Sequence, residues 1–478
     1  MEDKWFGRAV GLVVASVAGG AAALLWFAIA SGKPPEGEVP VEGLILGVWN
    51  VFYDIQAPAP RVFLAAVALA LLSAAGIAML ERRVANKSRR SSNHLINPLA
   101  PKIVMAATRG VFAGPVTVTA LIPAYNEEAS LGATLSSLLA QSHRPERVIV
   151  VADNCTDSTV AIARAHGVEV FESQGNHKKK AGALNQALKE LLGDQGDNDI
   201  VMVLDADTRL DDGFLEAAVA RFTNDRALMA VGGLFYGEEG FGLLGQFQRN
   251  EYIRYSRQIS RRRGHVFVLT GTASMFRPAA LRAVAKNRGA TIPGNRGDVY
   301  DTAALTEDNE LTIALKSLGA LIISPSDCTV VTELMPTVAT LWVQRLRWQR
   351  GALENIGAYG MTPPTLRYWA QQLGIGYSVI ALSAFILLLL ITALSVDTWI
   401  WFVFWLGLGS VFVAERVVSV WAGGWRARLL ALALFPELLF DMFLDFVYVK
   451  GIVDITLGRQ AAWGHVPHAM PDEALEVA

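Results

Sequence analysis

Asp205 and Asp207 close the apolar run IVMVLDAD at 200–207. Two carboxylates at that spacing, just past a buried strand, offer hard oxygen ligands. Mg²⁺ is commonly held by one or two such carboxylates together with substrate phosphates. A solvated turn would carry the same pair, so its meaning depends on its neighbours. Glu307 and Asp308 stand side by side in LTEDNELTIALKSLG, 305–319. Thr306, Asn309 and Glu310 at the start and Gly319 at the end read as a capped helix. A cap needs only one acidic residue, which leaves a carboxylate where a general base could reach a bound acceptor. HKKKAGALN, 177–185, puts three lysines at a helix start, where positive charge opposes the helix dipole and an anionic partner would offset it. Asp153 ends RVIVVADN, where a carboxylate can accept hydrogen bonds from a base or ribose. VLTGTASMFR, 268–277, runs from a strand into small residues that let a sugar approach the backbone. QRLRWQR, 344–350, sets Gln344, Arg347 and Trp348 on one helical face. The same residue types also furnish a membrane-interface helix.

From about residue 115 to 335, short apolar runs alternate with amphipathic stretches, the pattern of an α/β domain. VTVTALIPAY (116–125), RVIVVADN (147–154) and IVMVLDAD (200–207) read as strands. Leu131, Leu135, Leu138 and Leu139 mark one face of an intervening helix. Continuous apolar runs fit a parallel sheet covered on both faces, and such sheets bind ligands beyond the carboxyl ends of their strands. The polar clusters AYNE, ADNCTD and DAD occupy those ends. The chain is 52% hydrophobic with a net charge of −2, which argues against a nucleic-acid partner. Cys155 and Cys328 are its only cysteines, so no disulfide framework or zinc cluster is implied.

Spanning a bilayer takes roughly 20 apolar residues. Candidates are 9–30, which does not read as a signal peptide, 62–80, 374–396, 399–414 and a less clean 428–449. Basic ERRVANKSRR at 81–90 and the mostly acidic 31–61 loop place the N-terminus and the central domain in the cytoplasm, with 31–61 outside. The expected organisation is therefore two N-terminal transmembrane helices with an extracellular loop (1–88), a cytoplasmic domain (89–335), interface helices carrying QxxRW (336–372), C-terminal transmembrane helices (373–450) and a tail (451–478). Glu437, Asp441 and Asp445 form an acidic stripe on 428–449, read either as the wall of a polysaccharide path or as a water-facing edge. RNEYIRYSRQISRRR, 249–263, reads as a basic helix that could meet anionic lipid headgroups. The loop GNRGDVYD, 294–301, precedes the Glu307–Asp308 pair and is read as a plain loop or a gate.

LIPAYNEE, VADNCTD, KAGALN, DAD, GTAS, TED and QRLRW, in that order before an apolar block, resemble the inverting family 2 membrane glycosyltransferases, including the hyaluronan, chitin, cellulose and poly-N-acetylglucosamine synthases. The resemblance covers roughly residues 115–355 and the flanking apolar runs. It implies an α/β GT-A nucleotide-sugar domain inserted between transmembrane helices. By that resemblance Tyr125, Glu127 and Asp153 contact the uridine, and Lys180 the diphosphate. Asp205 and Asp207 serve the ribose and a Mg²⁺ or Mn²⁺ ion, and Asp207 is the better metal ligand. Asp308, beside Glu307, is the general base. Gln344, Arg347 and Trp348 hold the donor diphosphate and the acceptor sugar, and Gly271, Thr272, Ala273 and Ser274 border the acceptor. GRQAAWGH, 458–465, is loosely similar to an Arg-x-x-x-Trp element of relatives. The implied partners are a UDP-sugar, a growing polysaccharide or lipid acceptor, the bilayer, and an export or accessory subunit. Two rivals remain: transfer of a single sugar to a lipid, and an inactive membrane scaffold or transport subunit.

Overall fold

The structure, a computed structural model, describes residues 41–45, 49–54, 60–109, 114–261, 266–395 and 399–459, with Ala23 and Trp26 as isolated positions. Apart from those two, the expected span 9–30 lies outside the described residues, as do Arg262, Arg263 and everything beyond Arg459, including most of GRQAAWGH. The chain divides into two compact units, Met1–Lys87 with Ile380–Arg416, and Ser88–Val379 with Val417–Ala478. The expected C-terminal block 373–450 is thus split between them.

Strands of the second unit, in chain order, are β1 (Thr117–Ala124), β2 (Arg147–Ala152), β3 (Glu169–Glu172), β4 (Asp199–Leu204), β5 (Thr208–Leu210), β6 (Leu228–Gly232), β7 (Leu234–Gly237), β8 (Ala273–Phe276), β9 (Leu321–Ile323) and β10 (Thr329–Thr332). Seven form one sheet in the order β9-β6-β8-β4-β1-β2-β3, and β5-β10-β7 form a smaller one. The helices that matter for the site are α1 (Leu131–Leu139), α2 (Lys179–Leu191), α3 (Phe214–Asn224), α4 (Gly242–Arg261), α5 (Pro278–Asn287), α6 (Glu307–Ser317), α7 (Val338–Tyr359) and α8 (Phe435–Thr456). Side chains alternate across a strand, so each apolar run feeds two cores. Val118, Ala120 and Ile122 of β1 and Ile200, Met202 and Leu204 of β4 pack with α1 and α3. Leu121, Val201 and Val203 face the opposite layer, built by α2, α5 and α6.

All neighbours in the large sheet run parallel except β8, which is antiparallel to both β4 and β6. That exception brings the start of β8 to the edge where β1, β2 and β4 end. Ala273 pairs with Leu204, and Asp205 N–H donates to Thr272 O at 3.1 Å. The small-residue loop and the DAD cluster therefore meet because one strand is reversed.

Several expectations change. Thr306 does precede α6, but its side chain makes no capping bond, and Glu310 is not a cap. Glu310 is buried and gripped by Arg288 at 2.8 and 2.7 Å. The described part of the basic stretch, 249–261, lies in α4, and two of its arginines are taken up by partners within the protein: Arg249 donates to the carbonyls of Glu238 and Gly240 at 2.9 Å. Arg254 meets Glu437 at 2.5 Å, and Asn250 donates to the same carboxylate at 2.8 Å. A carboxylate so partnered and buried is neither a path wall nor a water-facing edge; it ties α8 to α4. The expected span 428–449 is two helices, Gly424–Ala433 and α8, broken at Leu434 with φ 55°.

In the first unit, Val41–Ile45 and Trp49–Asp54 form an antiparallel hairpin, and Trp399–Phe402 adds to it in parallel. Trp49, Phe52 and Tyr53 of the expected 31–61 loop are therefore in a strand, and the expected span 399–414 starts as strand before the helix Val403–Ser419. Among the described residues one helix, Leu366–Ile391, is long and apolar enough to cross a membrane. A second would follow if the bent pair Leu406–Ser419 and Trp421–Ala433, at 59°, is one span.

The Arg288–Glu310 pair pins the 288–299 loop to α6, because the same guanidinium also donates to the carbonyls of Pro293, Asp298 and Val299. Removing one partner strands a buried charge, so Glu310→Ala should lower unfolding stability by about 3–5 kcal/mol. Arg288→Met with Glu310→Leu should recover most of it. Denaturant unfolding of the three variants measures this, and a wild-type midpoint in Glu310→Ala would refute the pinning role.

Candidate active site

The site is assembled around a residue without a side chain. Gly271 N–H donates to Asp308 Oδ2 at 3.1 Å. A Cβ placed on Gly271 would stand 3.2 Å from Asp205 Oδ2, 3.4 Å from Lys180 Nζ and 3.6 Å from Asp308 Oδ2. The missing side chain lets the end of β4, the first turn of α2 and the first turn of α6 close on one point. There Lys180 Nζ lies 2.5 Å from Asp205 Oδ1 and 3.3 Å from Glu307 Oε1.

Burial disfavours the Lys180 charge, but the carboxylates of Asp205 and Glu307 outweigh it and raise its pKa. Glu307 is also buried, which favours its neutral form. Lys180 and the more distant Arg347 reverse that and hold it below the usual range. Asp308 moves the other way: burial first, then the negative Glu307, push its carboxyl up to about 6. Adjacent carboxylates driven apart in this way take different roles. Glu307 remains an anion that balances Lys180, and Asp308 is poised to exchange a proton near neutral pH.

At the ends of β1 and β2, Tyr125 is exposed and Asp153 is buried. Asp153 Oδ1 accepts from Ser173 Oγ at 2.6 Å and Asn154 Nδ2 at 2.9 Å. Glu127 Oε2 accepts from Ser130 Oγ at 2.8 Å, and its charge is felt by Asp205. Asp207 Oδ1 accepts from Thr208 Oγ1 at 3.1 Å. Asp205 is committed to Lys180, so Asp207 is the residue whose chemistry best fits a divalent cation. Among the described residues no three His, Cys, Asp or Glu side chains gather into a ready-made cage. A cation here would complete its shell with substrate oxygens.

Helix α7 faces this cluster. Arg347 acts on Glu307 and on Lys179. Arg345, which the sequence reading passed over between Gln344 and Arg347, is the most buried of the group. Its guanidinium stacks 4.2 Å from the Trp348 ring centroid and 5.5 Å from that of Tyr252. It also pairs with Glu251 at 2.8 Å and takes up the Gln344 side-chain oxygen at 2.7 Å. Tyr252 in turn lies within reach of the Asp207 charge, which links the metal-binding candidate to the Trp348 end of α7. The only signal for Arg345 in the sequence was its place inside the motif; Tyr252 had none.

The expected acceptor border narrows. Ala273 is wholly buried in the sheet, and Ser274 turns its hydroxyl back onto Thr270 O at 2.7 Å. Gly271 and Thr272 are the partly exposed members. Asn185, the last residue of KAGALN, accepts from Val299 N and Tyr300 N at 3.0 and 2.9 Å and donates to Tyr300 O at 2.8 Å. The 294–301 loop is thereby bound to α2, which does not suit a gate, and Tyr300 is seated against the cluster. A cleft of ≈ 430 Å³ opens beside Lys180 and Glu307. His177 to Ala181, the 302–305 loop, Arg350 and Glu354 complete its walls.

Residues 119–285 match Glycosyl transferase family 2. Over 244 residues, 50% of this chain and 55% of the relative, the chain is 29% identical to the poly-beta-1,6-N-acetyl-D-glucosamine synthase of Staphylococcus aureus (strain COL). Over 251 residues it is 28% identical to the Staphylococcus epidermidis protein of that name, with the same coverage. The chain thus spans about half the length of the curated relatives it matches. Among solved structures, a mannosyltransferase from Pyrobaculum calidifontis in complex with GDP-Man and Mn²⁺ aligns at a TM-score of 0.47 and 17% identity, over 80% of this chain and 99% of that one. The family match begins inside β1 and ends inside α5, enclosing Tyr125, Glu127, Asp153, Lys180, Asp205, Asp207 and the Gly271 loop. Residues 119–285 therefore carry a family 2 glycosyltransferase domain, built on a mixed sheet.

Proposed function

We propose that the chain is a membrane-embedded, inverting β-glycosyltransferase that uses a UDP-sugar to elongate a polysaccharide and to pass it across the bilayer. The observation that carries this reading is the divided carboxylate pair: Asp308 raised to about 6 beside a Glu307 kept ionised by Lys180. An acceptor hydroxyl lodged near Gly271 gives its proton to Asp308 as its oxygen attacks the anomeric carbon. The bond to the diphosphate breaks, and UDP leaves with the electron pair. One displacement inverts the centre, so an α-linked donor yields a β-linkage. No second carboxylate nucleophile is required, unlike in a retaining hydrolase.

Lys179 and Arg347 supply positive charge toward the leaving diphosphate, as electrostatic stabilisation of developing charge requires. A Mg²⁺ or Mn²⁺ ion, when bound, would add Lewis-acid neutralisation of that charge, with Asp207 as its main ligand. Tyr125, Glu127 and Asp153 line the strand ends where a uridine would lie. Trp348, its indole fixed by Arg345, offers a flat apolar face to the acceptor sugar. Gly271 and Thr272 border that sugar from the sheet side. The names of the relatives favour N-acetylglucosamine as the transferred unit. Support for the membrane comes from Leu366–Ile391, whose apolar side chains are largely exposed, and from the basic 81–90 segment, which favours a cytoplasmic catalytic unit in a multi-pass arrangement. Export would enlist this apolar part or an accessory subunit.

Purified protein given radiolabelled UDP-N-acetylglucosamine and a divalent cation should release UDP and build long chains; a lipid bearing one sugar would end the polymer reading. Asp308→Asn should keep donor affinity while transfer falls by about 10²–10⁴-fold, the usual range for a general base. Because Asp308 must be ionised to work and its pKa is raised, kcat/KM should climb with pH through about 6 and then level. A flat profile from pH 5 to 8 would remove Asp308 from that role. For Asp207→Ala, calorimetry should show UDP affinity that no longer responds to Mg²⁺ or Mn²⁺, and an intact metal response would take Asp207 out of the metal site.

A further inference from the structure

Two residues of α7 past the QxxRW motif, Gly351 and Asn355, carry none of the roles above, yet both are pressed against the start of α6. A Cβ on Gly351 would stand 2.5 Å from Thr306 Oγ1 and 2.8 Å from Thr306 Cγ2, with Leu305 Cβ at 3.2 Å. One turn on, the buried Asn355 has its side-chain nitrogen 3.1 Å from Thr306 O, 3.1 Å from Thr306 Oγ1 and 3.0 Å from Asn309 Oδ1. Asn309 N–H in turn donates to Asp308 Oδ1 at 2.8 Å. Thr306, which does not cap its own helix, is thus the socket for another. The contact runs from Asn355 through Asn309 to Asp308 at one end, and along one rigid helix to Arg347 and Trp348 at the other.

We propose that Gly351 and Asn355 form a fitted joint with Thr306 that fixes Trp348, and so the acceptor, relative to Asp308, and thereby directs the donor sugar to the acceptor rather than to water. The inference rests on Asp308 acting as base in glycosyl transfer. In the productive reaction an acceptor oxygen bonds to the anomeric carbon, its proton passes to Asp308 and UDP departs. In the wasteful one, water supplies the oxygen and the proton, and free sugar and UDP result. Both begin with the same bound donor, so what separates them is the placement of the acceptor hydroxyl, where an error near 1 Å can reduce rate on the order of 10²-fold. These are positioning residues, since neither reaches the reacting atoms.

The test compares full-length wild type, Gly351→Ala, Asn355→Asp, and Gly351→Ala combined with Thr306→Ala. UDP release and sugar incorporation are measured in parallel from UDP-N-acetylglucosamine, with thermal unfolding as the control for folding. Gly351→Ala should leave donor KM and UDP release largely in place while incorporation per UDP drops, on the order of 10²-fold at the extreme. Adding Thr306→Ala removes the atoms that the new methyl strikes and should restore much of the coupling. Asn355→Asp carries a second readout. It replaces the donor nitrogen with a carboxylate oxygen facing Asn309 Oδ1 and adds negative charge near Asp308, so the acid limb of the rate profile should move above about 6. Lys180, Asp205, Glu307, Tyr255 and Tyr300, the groups that otherwise face Asp308, are unchanged. A merely structural role would lower the unfolding temperature and move neither the partition nor the limb. Variants that release UDP and partition it as wild type does, with an unmoved limb, overturn the joint alone. Wild type that releases no UDP from any of a panel of UDP-sugars overturns the functional reading and the joint with it.

Discussion

Lys180 holds two carboxylates, Asp205 at 2.5 Å and Glu307 at 3.3 Å, in a space that only a glycine leaves open. Without that cation, the end of β4 and the start of α6 would bring like charges together in a poorly solvated pocket. Both carboxylates would then be driven toward their neutral forms. With it, Glu307 is held below its usual range, Lys180 offsets part of the rise that burial imposes on Asp205, and Asp308 is lifted to about 6. A single ammonium thereby sets which carboxylate is structural and which is reactive. In the proposed reaction the tight seating of Lys180 leaves Lys179 and Arg347 as the cations that face the diphosphate.

The rest of the second unit reads as a means of bringing four remote segments to that cation. Parallel strands β1, β2 and β4 deliver their ends to one edge, and the reversed β8 delivers its beginning to the same edge. Helix α2 enters from one side with Lys180 in its first turn and Asn185 holding the 294–301 loop. Helix α7 is braced from behind by α8, through Trp342 against Phe443 at 5.7 Å and the close seating of Gly451 on the Arg350 backbone. Helix α8 is in turn moored to α4 by the Arg254–Glu437–Asn250 contact.

What the sequence made legible was local. The apolar runs of β1, β2 and β4 announced a parallel sheet, and that alone was enough to place Asp153, Asp205 and Tyr125 on one edge. The TED pair and the lysine run were visible as charge out of keeping with their helix positions. Reversal of β8 was not legible, because a four-residue strand reads the same in either direction. Long-range partners were equally hidden: Glu437 read as a path wall or a water-facing edge, and its partner Arg254 lies far off in sequence. Thr306 looked like a cap because a capping motif is defined by local spacing, whereas the side chain is claimed by α7. Arg345 lay inside a motif whose neighbours drew the chemistry, and only packing shows that it is the one sandwiched by aromatic rings. The 41–54 hairpin was masked by its loop-like composition, and its third strand lies hundreds of residues away, at 399–402.

The central claim is that Glu307 and Asp308, adjacent in sequence, shift in opposite directions because Lys180 stabilises the charge of one and burial lifts the other. An isotope-edited infrared titration of the labelled aspartates, with Asp308→Asn used to assign the band, reads this without recourse to turnover. The account predicts a carboxyl that gains its proton near pH 6 and is lost from the Asp308→Asn spectrum. An Asp308 band that stays ionised until about pH 4, the ordinary range for an aspartate, would contradict it.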